Sequence, residues 1–270
     1  MKKTILLIGL MLSLLGCSIS TPTSSFEQDV ATRVALAVTE TALQATVEGQ
    51  IVTVTPIQST EAIPTNTQTP PADDPKTTLG NPSFKDDLSS GASWSLDIGE
   101  VKEFGNTSFG LNNGKLTAKS QSTTSGFIWW LSYLGFKNAY LEAKFDVEQC
   151  SGNDQYGLIV RAADYGDGYA YYYTVTCSGN YDLRRRTATG STQLLGMPTS
   201  DAINKGANQS NTLGIWLDKD VIRLYINNQF LTEINESSIA VDGHFGLFIN
   251  AVQTPGFTIH LDEIAYWKLD

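Results

Sequence analysis

Two sets of residues in this sequence mix aromatic rings with planar ionic groups. The first is Arg161, Tyr172, Asp182, Arg184 and Arg186, and the second is Trp216, Arg223 and Tyr225. Rings of this kind stack on the apolar face of a pyranose, and guanidinium and carboxylate groups hydrogen-bond its hydroxyls. Strand parity decides where each set points. If Leu158 and Val160 face a core, Arg161 points outward. If Tyr171, Tyr173 and Val175 face that core, Tyr172 points outward. With Leu183 inward, Asp182, Arg184 and Arg186 point outward, so the first set lines one sheet surface. The plainer reading leaves the arginines solvated or paired with Asp164, Asp167 and Asp182. The second set shares the outward parity of one hairpin, where Trp216 and Arg223 facing each other would make a cation–π pair. Its plainer reading is a ring covering the outer sheet under a loop.

The elements that must position these residues are strands. From Tyr140 to Arg186 four runs are separated by Gly, Asn, Asp and Ser: Tyr140–Val147, Tyr156–Arg161, Tyr169–Cys177 and Tyr181–Arg186. In the first, Leu141, Ala143, Phe145 and Val147 alternate with Tyr140, Glu142, Lys144 and Asp146, the period-two pattern of a strand buried on one side. Further runs read at Lys115–Ser120, Phe127–Tyr133, Leu213–Leu217, Ile222–Ile226, Phe230–Ile234, Phe245–Asn250 and Phe257–Trp267. Trp129 and Trp130 are adjacent, so one faces in and one out. The turn at Asn227-Asn228 signals a hairpin. No long helix pattern follows Pro82. The sequence therefore predicts an all-β jelly-roll sandwich of two antiparallel sheets over residues 81–270.

The ordered set YGLIVR, YAYYYTVTCSGNYDLRR, SDAINKGANQSNTLGIWLDKDVIRLYINNQ, GHFGLFIN and LDEIAYW resembles the concanavalin A-like lectin/glucanase superfamily. It is similar in particular to the laminin-G-like and keto-disaccharide-hydrolase-like domains of bacterial lipoproteins. That resemblance implies the jelly roll, and it leaves function open because the fold hosts lectins, glycosidases, adhesion modules and spacers. Glycosidases of the superfamily carry a Glu-x-Asp-x-(x)-Glu strand motif whose carboxylates flank the scissile bond. The nearest set here is Glu142, Asp146 and Glu148. It lacks the central acid at the right spacing, and Lys144 interrupts it, so the row reads as a solvated strand face. Asp262 and Glu263 are adjacent and are expected on opposite faces. The two histidines, His244 and His260, lack a nearby serine nucleophile motif. No catalytic residue is assigned. The superfamily commonly holds a structural calcium, for which Asp86, Asp87 and Asp262 are the candidate ligands; no other cofactor is implied.

Before the strands come three segments of different character. Lys2 and Lys3 precede the apolar run Ile5–Leu15, a signal peptide too short for an ordinary membrane span. It ends in Leu14-Leu15-Gly16-Cys17, which resembles the bacterial lipobox and implies acylation of Cys17 and a membrane anchor. Residues 18–50 read as a helical spacer, with Val30, Val34, Ala37, Val38, Ala42 and Ala45 at near-helical spacing from Phe26 to Gly49. Residues 51–80 form a Thr/Pro-rich linker that cannot bury enough apolar surface to fold and reaches up to ~90 Å when extended. With Cys17 lipidated, Cys150 and Cys177 are left to form a disulfide in an oxidising compartment; two free thiols or half of a metal site are the alternatives.

The net charge of −10 argues against nucleic acid, which needs clustered Lys and Arg. The leading expectation is a lipid-anchored protein at the cell surface whose jelly roll binds an extracellular glycan or a cell-envelope component without catalysis. The competing expectations are a glycoside or keto-disaccharide hydrolase and a structural or assembly module of the envelope.

Overall fold

A computed structural model of the chain describes residues 73–269. The expectations for the leader with Cys17, the helical spacer and most of the linker lie outside the described residues.

Fifteen strands and one helical turn make up the described chain. The turn is α1 (Lys76–Leu79). The strands are β1 (Phe84–Asp86), β2 (Val101–Phe104), β3 (Thr107–Asn112), β4 (Lys115–Ser120), β5 (Ile128–Phe136), β6 (Ala139–Val147), β7 (Gln155–Ala162), β8 (Ala170–Thr176), β9 (Tyr181–Thr187), β10 (Gly190–Gln193), β11 (Gln209–Asp218), β12 (Val221–Ile226), β13 (Gln229–Asn235), β14 (Gly243–Asn250) and β15 (Phe257–Lys268). One sheet has nine strands in the order β13-β12-β11-β6-β15-β4-β3-β2, with β1 also paired to β15. The other has six, in the order β10-β9-β8-β7-β14-β5. All strand pairs within them are antiparallel. The jelly-roll sandwich expected from alternation is the fold of the described chain.

The core lies between the sheets. Leu141, Ala143 and Phe145 of β6 and Leu213, Ile215 and Leu217 of β11 meet Leu158 and Val160 of β7, Tyr171, Tyr173 and Val175 of β8, and Leu247 and Ile249 of β14. These are the positions that period-two alternation assigns inward. Four strands have no counterpart in the sequence expectation. β1 spans only three residues and β10 is exposed throughout; β2 sits on a sheet edge with little burial. β3 does alternate, but through Thr107, Phe109 and Leu111 separated by Ser and Gly, a weak hydrophobic signal.

The Cys150–Cys177 disulfide is present, with the Cα atoms 5.7 Å apart. It ties the segment after β6 to the residue following β8. Asp154, in the loop it restrains, accepts backbone N–H groups from Val252, Gln253 and Thr254 on Oδ1 and from Ser151 on Oδ2.

The end of the segment read as linker is structured. Lys76 Nζ meets Glu142 Oε2 at 2.7 Å and Asn228 Oδ1 at 3.1 Å, and Gly80 O accepts from Trp267 Nε1. Leu79 packs on Tyr140, Tyr225, Ala265 and Trp267. This turn covers part of the outer face of the nine-stranded sheet.

Candidate functional site

The outer face of the six-stranded sheet carries a second apolar layer. Alternation in β5 and the residue before it sends Ile128 and Trp130 to the core and Phe127, Trp129 and Leu131 to the other side. There they join Ile159 and Ala162 of β7, Ala170 and Tyr172 of β8, and Phe248 of β14. A sheet surface that faces water is ordinarily polar, so a ring-lined outer face calls for a ligand or a cover.

The rings brace one another. Phe127 meets Tyr172 edge-on at 5.8 Å and Phe248 at 5.2 Å, and Tyr172 meets Phe248 at 5.3 Å. The Tyr172 hydroxyl donates to Gly168 O at 2.9 Å. Burial pushes its pKa up to about 12 against the opposing pull of Arg186, so it stays a neutral donor. Gly168 has φ +68°, in the left-handed region, and a Cβ there would come within 2.7 Å of the Trp129 ring and 2.9 Å of the Tyr172 hydroxyl. Only glycine lets the loop pass this close.

Arg184 and Arg186, two residues apart on β9, extend over this layer. The Arg184 guanidinium lies 5.5 Å from the Phe127 centroid and that of Arg186 lies 5.3 Å from Trp129. With Phe127, Tyr172 and Ser191 they line a concavity of about 230 Å³. A neighbouring concavity of about 310 Å³ is lined by Trp94, Ser95, Phe104, Trp129, Trp130, Leu131, Tyr133 and Tyr165. It opens between β5 and β2, the edge strands of the two sheets. Phe104, Tyr133 and Tyr165 are 47%, 57% and 48% exposed, which leaves part of each ring open to solvent. Ser95 Oγ bonds the Tyr133 hydroxyl, and Tyr165 stacks on His244 at 4.4 Å.

Of the first predicted set, Tyr172, Arg184 and Arg186 come together here, and two members do not. Arg161 is a correction. Ile159 pairs with Gly246 and Ala162 with His244, so β7 has two residues where β14 has one. The bulge places Arg161 at φ 54° and breaks the alternation. Its side chain is fully buried and donates to the carbonyls of Lys137 (3.2 Å), Ile239 (3.0 Å) and Lys219 (2.8 Å). Burial draws its pKa below the usual arginine value. Asp182 is likewise buried rather than presented to solvent, because its Oδ1 accepts Leu195 N–H at 3.0 Å; burial raises its pKa.

The second set sits on the nine-stranded sheet. Trp216 and Arg223 are register partners, with the guanidinium 5.5 Å from the indole centroid. Arg223 also binds Glu233 at 2.6 Å. Tyr225 is not presented to a ligand: it is buried against Tyr140 and Phe230, at 5.7 and 5.6 Å, beside the Leu79 turn. This matches the plainer reading of a covered outer ring.

The three aspartates offered for calcium do not form a site. Asp86 accepts Leu88 N–H and Trp94 Nε1–H, Asp87 accepts Ser89 N–H, and Asp262 binds Lys115 and Lys144. Among the described residues no group of His, Cys, Asp or Glu has the geometry to hold a metal ion. The donor set does not fit calcium, because ammonium and N–H groups already take the carboxylate oxygens.

The acidic row on and just after β6 is engaged member by member. Glu142 binds Lys76, Asp146 binds Lys115 and Ser210, and Glu148 meets His260 Nε2 at 2.8 Å. Asp146 and Asp262 share Lys115, at 2.9 and 2.6 Å. Burial alone would raise the Asp146 pKa, but Ser210 and Lys115 outweigh it and hold the carboxyl well below its usual value. A general acid needs the opposite shift. Asp262 and Glu263 do not take opposite faces as parity suggested. The register of β15 against β6 slips between Leu261 and Glu263, and both acids reach outer-face lysines, Asp262 to Lys144 and Glu263 to Lys85.

The residues missed in the sequence are Phe104, Phe127, Trp129, Tyr133, Tyr165, Ser191 and Phe248. For Phe127, Trp129 and Tyr133 the signal was alternation against Ile128 and Trp130. Phe104, Tyr165 and Ser191 lie on short edges and loops where no period exists.

No family model matches the sequence, and no curated protein matches it. Among solved structures the chain is similar to a carbohydrate-binding module from Bacillus subtilis, at 12% identity and TM-score 0.45, over 68% of this chain and 96% of that one. It is also similar to the catalytic domain of an endo-1,3-β-glucanase (laminarinase) from Thermotoga petrophila, at 10% identity and TM-score 0.47, over 70% and 98%. A xylan β-1,4-xylosidase from Bacillus halodurans matches at 14% identity and TM-score 0.46, over 68% of this chain and 39% of that one.

Proposed function

We propose that this protein binds carbohydrate without cleaving it, on the outer face of the six-stranded sheet, displayed at the cell surface through acylated Cys17. The observation that supports this reading is the pair of ring-lined concavities linked by the contact of Arg186, in one, with Trp129, in the other. Their volumes suit one or a few sugar rings, and their walls combine aromatic faces with hydroxyl and guanidinium donors. A standard protein interface needs roughly 800 Å² per partner, much of it continuous; two discrete hollows suit a chain of sugars better. The acids of the nine-stranded sheet are each held by Lys, Ser or His partners and do not supply the separated acid and nucleophile of a glycosidase.

Calorimetric titration of the purified chain with a panel of neutral and acidic polysaccharides tests the proposal. Binding to at least one glycan, weakened about tenfold or more in Trp129→Ala and Tyr133→Ala, is expected, since a stacked ring contributes on the order of 1.5 kcal/mol. Silence across the panel, or binding indifferent to both substitutions, would overturn it.

A further inference from the structure

We infer that the glycan is anionic, with a carboxylate or sulfate held between Arg184 and Arg186; this rests on the carbohydrate-binding reading above.

Among the described residues Arg161 is spent on three backbone carbonyls, Arg185 on Glu236 at 3.1 Å and Arg223 on Glu233 at 2.6 Å. Arg184 and Arg186 have no carboxylate within 4.0 Å among the described residues. In a chain with 28 acidic and 18 basic side chains, two such cations beside one concavity are a specific placement. Of the nearby acids, Asp182 gives Oδ1 to Leu195 N–H while its Oδ2 is buried without a hydrogen-bond partner and feels the Arg184 charge without pairing to it, Asp164 accepts from Gly166 and Asp167 N–H, and Asp167 accepts from Tyr169 N–H.

Geometry suits a single anion. Residues two apart on a strand share a face at about 7 Å, within converging reach of two guanidinium groups. Each lies over a ring, Phe127 or Trp129, and a stacked guanidinium keeps its in-plane N–H donors free. Arg184 Nη1 reaches only Ser191 Oγ, at 3.4 Å. An oxyanion would satisfy these donors. Neighbouring sugars would then run past Trp129 into the hollow of Phe104, Tyr133 and Tyr165.

The experiment is titration with matched polymers: polygalacturonate against its methyl ester for the carboxylate, and dextran sulfate against dextran for the sulfate. One acidic member is expected to bind at least tenfold tighter than its neutral partner, and which one identifies the anion. Arg184→Gln and Arg186→Gln each erase that preference, and Arg184→Lys, which keeps the charge and loses the planar fork, restores it only in part. Arg223→Gln, on the other sheet, leaves it unchanged. Neutral polymers that bind as well as acidic ones, with the arginine variants silent, would overturn the anion and leave carbohydrate binding standing. Equal loss in Arg223→Gln would reduce the preference to general charge and also overturn it. Failure of every polymer to bind would remove the reading beneath it.

Discussion

The Arg186 guanidinium lies 5.3 Å from the Trp129 ring centroid and links the concavity over the six-stranded sheet to the one at the sandwich edge. Trp129 is held from the other side by its Nε1–H bond to Tyr165 O, at 3.3 Å. The pair therefore couples β9 to edge strand β5 across the sheet. A double-mutant cycle of Trp129→Ala and Arg186→Ala, followed by urea unfolding, is expected to give a coupling of about 0.5–1 kcal/mol, the range of partly exposed cation–π pairs. A coupling near zero would show that the two side chains do not meet in solution.

Arg161 gives the largest expected stability loss. Its three carbonyl partners come from the β5–β6 turn, the β11–β12 turn and the segment before β14, so one side chain fastens three loops. Arg161→Met keeps the bulk and removes every donor. With the buried Ile239 carbonyl orphaned and the part-buried Lys137 and Lys219 carbonyls losing their partner, about 3 kcal/mol should be lost, read as a lower urea midpoint. Lys in its place should recover only part. Glycan binding, measured where the variant is still folded, should be unchanged because Arg161 does not reach the groove.

Arg161 also shows how far the sequence could be read. Leu158 and Val160 face the core as period two requires, and the next residue should then face out. The bulge against Phe245 adds one residue and reverses that inference, and nothing in YGLIVRAAD marks it. Gly243 is a faint trace: a Cβ there would come within 2.8 Å of Arg161 Cα, but a lone glycine before a strand has many causes. Asp262 fails by the same physics. Tyr172, Arg184 and Arg186 lie on uninterrupted strands, and their outer face was legible. The aromatic partners of the groove were half legible, because β5 alternates while Phe104 and Tyr165 sit where strand period gives no guide.

The Cys150–Cys177 bridge should matter most at one end of the sandwich. It restrains the loop that carries Asp154, and Cys177 N–H donates to Asp154 O at 3.1 Å. Replacing both cysteines with serine is expected to cost about 3 kcal/mol through the freed unfolded chain. Hydrogen exchange should rise first at Ser151–Asp154 and Val252–Thr254, before the β6 and β11 core. Uniform loss of protection across both sheets would contradict this local role.

Asp154 sets an acid limit on stability. Burial by itself would raise its pKa, but the Thr254 hydroxyl and the N–H groups of Gln253, Ser151 and Val252 outweigh burial and hold it below the ordinary aspartate value. A carboxyl whose folded pKa lies below its unfolded one binds fewer protons when folded. Its contribution is complete above the unfolded pKa, near 3.9, and disappears as pH falls through the folded value. Asp146 shifts in the same direction and adds to the effect. The wild-type chain should therefore lose stability below about pH 4, monitored by urea midpoints between pH 2 and pH 7. Asp154→Asn should lower the midpoint at pH 7 and flatten its acid slope, since the group that titrates is gone. An unchanged slope in that variant would mean the carboxylate does not hold the Val252–Thr254 turn in solution.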